Sequence, residues 1–251
     1  MHVGKLYPFY SNDARSDDVR RWFGIGRFNI ARRPEDATRI VVAGGDGTML
    51  YAIKKHFRSE VTFLGIDRGT RGFLLNPIPT AEELEKLLLL DKFTVVQLRL
   101  QKVTFINRNG KARQFFAFND TYLNADSGTE VCGTIEGEFY PKHEFRGDGI
   151  IVATAQGSTA YNQNAGGAVL PLESFDFALR TICSSRQVRS IRAMVKPQKI
   201  EIDITRGKAI GHADTKKSEV VDVVKTIIEP SNFIVRLEFI PGNDFEAKRY
   251  E

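Results

Sequence analysis

The hydrophobic pattern of this chain changes period near Phe93, and one kind of layer cannot satisfy both halves. Before that point, short apolar runs alternate with helix-like stretches. Residues 39–43 (RIVVA) have the length and branched side chains of a buried strand that ends in glycines, and 48–57 follow with helical spacing. Residues 61–66 (VTFLGI) read as a second strand. Residues 80–90 read as a helix opened by a capping box, Thr80 with Glu83 three positions on, ahead of a leucine run. Strand, helix, strand in this order predicts an α/β layer on a mainly parallel sheet.

Beyond Phe93 the period is two. Ile200, Ile202 and Ile204 alternate with Glu201, Asp203 and Thr205, and Phe233, Val235, Leu237 and Phe239 alternate with polar or smaller neighbours. Residues 94–106, 111–124 and 220–228 also read as strands. The expected architecture is α/β plus all-β: an N-terminal α/β parallel-sheet domain over residues 1–95, then a β-rich, sandwich-like domain over 96–239. Short helices are expected at 158–165 and 172–183, and a tail helix at 242–251.

The 251 residues carry a formal net charge of +5, which raises nucleic acid as a partner. The distribution argues against it. Residues 180–217 hold ten Lys and Arg against three Asp and Glu, a local +7, so the remainder sums to −2. The excess lies in one segment with no nucleic-acid module around it, and reads as a solvated face. Cys132 and Cys183 are too few for a disulfide scaffold or a Cys-rich zinc site; reduced thiols in the cytoplasm are expected. No window approaches about 18 uncharged apolar residues, so no membrane association is expected. Residues 1–10 lack the apolar core of a secretory signal. The four histidines show no paired metal spacing, so no protein metal site is expected.

Gly44-Gly45-Asp46-Gly47-Thr48 follows a buried strand and opens a helix. Glycines let the backbone approach a ligand, and successive N–H groups at a helix N-terminus favour an anion. Asp46 is the odd element. A carboxylate in a phosphate cradle repels the phosphate unless it takes a proton, binds a metal or holds a sugar hydroxyl. A general base that activates a hydroxyl for phosphoryl transfer fits all three needs. The alternative is a tight turn with Asp46 as the helix N-cap. No Gly-Lys-Ser/Thr follows, so this is not a Walker loop.

Gly147-Asp148-Gly149 leads into an apolar run and then Gly157-Ser158-Thr159-Ala160-Tyr161, a second small-residue turn opening a helix. Ser158 and Thr159 can cap it and bind a polar ligand, and Tyr161 offers an aromatic face to a flat base. Between the motifs, Phe118-Asn119-Asp120 sets an amide and a carboxylate side by side, suited to a ribose diol or a base edge.

With these residues together, the sequence resembles the NAD kinase family. Gly44 to Thr48 is similar to its G-G-D-G-T. Residues 65–74 (GIDRGTRGFL) are similar to its G-I-N-x-G-x-L-G-F-L, and Asn119-Asp120 to its N-E pair. Residues 148–161 (DGIIVATAQGSTAY) are similar to its D-G-x-x-x-S-T-P-T-G-S-T-A-Y, and Ala165-Gly166-Gly167 to the A-G-G that follows. The resemblance implies an α/β domain, a β-rich domain and a C-terminal tail, about residues 240–251, returning to the first. It implies transfer of phosphate from ATP, or polyphosphate, to the 2′-hydroxyl of the adenosine ribose of NAD, with Mg²⁺ or another divalent cation. It also implies a homodimer or homotetramer.

By matching position, Asp46 would be the catalytic base, with Gly45, Gly47 and Thr48 shaping the phosphate turn and Phe73 packing on bound nucleotide. Asn119 and Asp120 would hold ribose or adenine. Ser158, Thr159, Ala160 and Tyr161 would line the adenine pocket. Asp148 and Asn164 would lie at the nicotinamide end, and Asp214 matches a late family aspartate. The sequence departs from the family at Asp120 (Glu there), Arg71 (an apolar residue), Asp67 (Asn) and Asn164 (a small residue). Rival readings are a lipid kinase or phosphofructokinase sharing G-G-D-G-T, or a non-catalytic dinucleotide-binding protein. The lipid kinases would need a following P-x-G-T-x-N-D segment, and phosphofructokinases lack G-S-T-A-Y.

Overall fold

Short runs of branched and aromatic side chains make the strands of the first of two units, Met1–Leu98 with Phe233–Glu251. The computed structural model describes residues 4–58, 60–70, 72–126, 129–186, 188–243 and 245–250; Arg71 lies outside them. In chain order the unit contains β1 (Leu6–Tyr10), α1 (Asp17–Gly24), β2 (Arg39–Gly44), α2 (Asp46–His56), β3 (Thr62–Asp67), α3 (Ala81–Leu90) and the start of β4 (Thr94–Asn107). β1 pairs with β2 and β2 with β3, both parallel, Leu6 opposite Arg39 and Arg39 opposite Thr62. Leu6, Val41, Ala43, Leu64 and Ile66 from the sheet pack with Val19 and Phe23 of α1 and Leu84 and Leu88 of α3. Thr80 caps α3 as its capping box predicts, its hydroxyl accepting from Glu83 N at 3.2 Å.

The second unit, Arg99–Asn232, is almost entirely β. It contains the rest of β4, then β5 (Ala112–Ala117), β6 (Asp120–Ala125), β7 (Val131–Gly137), β8 (Tyr140–Gly147), β9 (Gly149–Ala153), a one-turn helix α4 (Tyr161–Asn164), β10 (Phe177–Ile182), β11 (Arg192–Val195), β12 (Ile200–Arg206), β13 (Ala209–Ala213) and most of β14 (Thr215–Phe239). One antiparallel series runs β13–β6–β9–β10–β11, and another runs β8–β7–β12–β14. Their alternate residues, among them Leu123, Val152, Phe145, Ile200 and Val223, share one apolar core with Phe105 of β4. The last residues of β14 belong to the first unit and pair in parallel with β3, Arg236 opposite Thr62. There Glu238, 4% exposed, takes the guanidinium of Arg39 as its ion-pair partner.

The architecture is thus α/β followed by β-rich, and several elements differ from the pattern reading. Residues 172–183 hold a strand, β10, where a helix is expected. β10 (FALRTI) is buried on both faces and bonded on both edges, so it has no outward polar face and its sequence carries no period-two alternation. The stretch 111–124 is two strands, broken at Phe118 and Asn119, whose amides bond a side chain instead of a ladder. Residues 220–228 and 233–239 are one strand. The tail holds only a 3₁₀ turn at Ala247–Arg249, and 158–165 a 3₁₀ turn, Gln156–Thr159, followed by α4. The pattern before residue 39 predicts neither β1 nor α1, because Pro8 interrupts the first and few apolar residues mark the second. Among the described residues, no helix is long and apolar enough to cross a membrane.

Candidate active site

In the first unit, β2 ends at Gly44 and α2 begins at Asp46, with Gly45 as N-cap in an extended conformation. Asp46 is therefore the first helical residue and not the cap. Its carboxylate leaves the helix and accepts two backbone bonds, from Leu74 N at 2.9 Å and Phe73 N at 3.2 Å. Small residues bring these segments together. A Cβ on Gly69 would stand 3.0 Å from the Gly45 Cα, and Arg68 N donates to Gly44 O at 2.8 Å. A Cβ on Gly44 would strike the Thr48 side chain, whereas Gly47 is exposed with open space around it. Burial pushes the Asp46 carboxyl above its ordinary value. The two amide bonds oppose that shift, Asp67 adds to it and Lys248 opposes it. Asp46, Gly45, Gly47, Thr48 and Phe73 all gather here.

In the second unit, Asp214 sits at φ 62, the left-handed region that short polar side chains tolerate. Its carboxylate accepts from the amides of Phe118 (2.9 Å), Asn119 (2.7 Å) and Asp120 (3.3 Å). That grip ends β5, leaves Asn119 between the strands and fixes Asp120 as the first residue of β6, opposite Ala153 of β9. The carbonyls of Phe118 and Asn119 accept from the Thr154 hydroxyl at 2.7 and 2.9 Å, and Phe118 O also accepts from Gln156 Nε2 at 2.7 Å. Asp120 is 3% exposed and lies beside Asp214; burial first, and that second carboxylate next, push its carboxyl well above the usual range.

Gly157 stands against this support, and a Cβ there would collide with the Asn119 carbonyl. Gly157→Ala is expected to cost about 1–3 kcal/mol, as overpacking against backbone does, and to weaken nucleotide binding. Urea unfolding and a nucleotide titration check it.

The Tyr161 ring meets Tyr122 edge-on at 5.1 Å, and Tyr122 stacks on His212 at 4.7 Å. Burial raises the Tyr161 phenol, so it stays protonated at neutral pH and can donate a hydrogen bond. Thr159 and Ala160 are half-buried, Asn164 is exposed, and Asp148 is exposed beside the Cys183 thiol, which a bond to that carboxylate pushes up. Ser158 is fully buried. Its hydroxyl donates to Ala155 O and accepts from Leu170 N, so it holds the turn from inside. Sequence reasoning missed Thr154, Gln156 and Asn162, whose amide donates to Ser158 O and Ala168 O. The available signal was polar residues in a run that is otherwise buried, where each must be satisfied by a hydrogen bond.

NAD kinase 1 of Bacillus cereus is 32% identical over 190 residues, 72% of this chain and 69% of that protein. The NAD kinase of Rickettsia typhi is 33% identical over 194 residues, 75% and 72% of the two chains. The chain belongs to the NAD kinase family. It is an enzyme, a phosphotransferase. The family description "ATP-NAD kinase C-terminal domain" matches residues 118–229, which include Asn119, Asp120, Tyr161 and Asp214. Two solved structures show the fold of this NAD kinase family member. An NAD kinase from Archaeoglobus fulgidus in complex with ATP superposes with a TM-score of 0.76 at 24% identity, over 98% of each chain. Yeast NADH kinase complexed with NADH gives 0.80 at 16% identity, over 98% of this chain and 86% of that one. The lipid-kinase and phosphofructokinase readings are set aside.

Proposed function

We propose that the chain transfers the γ-phosphoryl group of ATP to the 2′-hydroxyl of the adenosine ribose of NAD, giving NADP and ADP. The observation that carries this reading is Asp46: a carboxylate turned out of a helix start, held by two amides, in a glycine turn otherwise built for phosphate. The ribose oxygen bonds to the γ-phosphorus, the bond from that phosphorus to the β–γ bridging oxygen breaks, and the hydroxyl proton passes to Asp46. The turn of Gly45, Gly47 and Thr48, where α2 begins and Gly47 is open to solvent, takes donor phosphate. Asn119 and Asp120, fixed by Asp214, bind ribose or adenine; Thr159, Ala160 and Tyr161 line the adenine; Asp148 and Asn164 meet the nicotinamide end. Ser158 acts by holding their turn.

The cation fits this scheme as part of the donor. Among the described residues the one group of three candidate metal ligands is Glu136, Glu201 and Asp203, in the second unit, where Lys199 and Lys225 pair with Glu201. Among the described residues no such group includes Asp46. Mg²⁺ is commonly held by nucleotide phosphates and water with few protein ligands, so it enters here as Mg-ATP. The two free thiols, Cys132 and Cys183, support a cytoplasmic setting.

With NAD, ATP and Mg²⁺ the purified protein is expected to form NADP, followed with an NADP-specific dehydrogenase. Parallel arms replace NAD by NADH and ATP by polyphosphate, and light scattering tests for the homodimer or homotetramer. Binding of NAD without NADP from any donor would leave a non-catalytic dinucleotide-binding protein and reject the proposal.

A further inference from the structure

The tail that follows β14 brings an ammonium group to the segment that grips Asp46. Residues 73 and 74 supply the two amides on the Asp46 carboxylate. The next two residues hold Asn243, whose side-chain amide donates to Asn76 Oδ1 at 2.9 Å and Leu75 O at 3.3 Å. Asn243 Oδ1 in turn accepts from Lys248 Nζ at 2.9 Å. Asn76 is fully buried and pinned: its amide donates to Gly65 O and Glu238 O, and its oxygen also accepts from Ile240 N. One short, rigid stretch of chain therefore positions both a carboxylate and a cation.

We infer that Lys248 binds the phosphate chain of the donor beside Asp46. The inference rests on the phosphoryl-transfer reading above. An acid in a phosphate cradle needs positive charge near it, and a helix N-terminus supplies only about half a unit. An ammonium is a compact point charge with three donors, suited to phosphate. Lys248 is half-buried on a cavity of about 450 Å³ shared with Pro77, Ile240 and Asn243. Its anchor is a neutral amide oxygen, which orients the charge without cancelling it, and among the described ion pairs none includes Lys248. Its field reaches Asp46 and favours the ionised carboxylate. The adjacent Arg249, 2% exposed, is turned into the unit and fixes the 3₁₀ turn that carries the lysine.

Calorimetric titration of the full chain with inorganic tripolyphosphate, and separately with Mg-ATP and NAD, tests this. Lys248→Ala is expected to weaken tripolyphosphate and Mg-ATP about 10-fold or more, the scale of a charged hydrogen bond, with NAD affinity and thermal midpoint unchanged. Lys248→Arg should restore most of the loss, and Asn243→Ala, which keeps the charge and frees it, should fall between. In turnover, the KM for ATP should rise while that for NAD stays. Unchanged tripolyphosphate affinity in Lys248→Ala, no tripolyphosphate binding by the wild type, or a parallel loss of NAD and donor binding with a lowered midpoint would each overturn the assignment. If the wild type forms no NADP, the functional reading fails separately, and the tripolyphosphate titration still decides Lys248.

Discussion

Asp46→Ala retains NAD binding and loses turnover by about 10²–10⁴-fold, the usual contribution of a positioned base. The carboxylate is not the cap of α2, since Gly45 holds that position, so its removal spares the helix start. What is lost is a proton acceptor aimed by the Phe73 and Leu74 amides. Calorimetry for NAD and a coupled assay for NADP separate the two effects. Equal loss of binding and turnover would instead make Asp46 part of the fold. The pH profile carries the same signature. A base works ionised, and burial raises this carboxyl above its ordinary value, so the rate falls on acidification at a pH above that value. The shift also has a cost in stability. The folded chain binds the proton more tightly than the unfolded one, so stability drops as pH rises from the ordinary carboxylate value through the folded one. Asp120, raised more strongly, acts with the same sign.

Asp214→Ala is the second large effect. It removes the acceptor of three backbone amides and puts alanine at φ 62. Orphaned amides beside a buried strand end cost about 1–3 kcal/mol each where water cannot reach, so a loss of about 3 kcal/mol is expected. The urea midpoint reads it. Because the Asn119-Asp120 pair loses its clamp, the KM for NAD should also rise by about 10-fold, the equivalent of one good hydrogen bond. Asp214→Asn, with one oxygen left to accept, should recover part of both. The Asp120 carboxyl should move back toward its ordinary range when the neighbouring charge goes, though burial still holds it up.

The motifs that could be read locally are those whose residues act through adjacent backbone. The turn at residues 44–48 places its own helix start, and residues 157–161 build their own small-residue turn. Asp214 is different. It lies 94 to 96 positions from the amides it holds, and only the pairing of β13 with β6 brings it there. β10 departs from the pattern reading for a related reason: a strand bonded on both edges and buried on both faces has no outward polar face, so its sequence lacks the period of two that would set it apart from a helix.

By itself, the sequence determined the two layer types, through the change of hydrophobic period, and the phosphate turn with its acid, through residue type and spacing along the chain. Only the tertiary structure decided what holds the acid, what fixes Asn119 and Asp120, and that Lys248 reaches the segment beside Asp46. Those choices depend on hydrogen bonds between residues distant in sequence, and no local pattern specifies which distant partner satisfies a given amide.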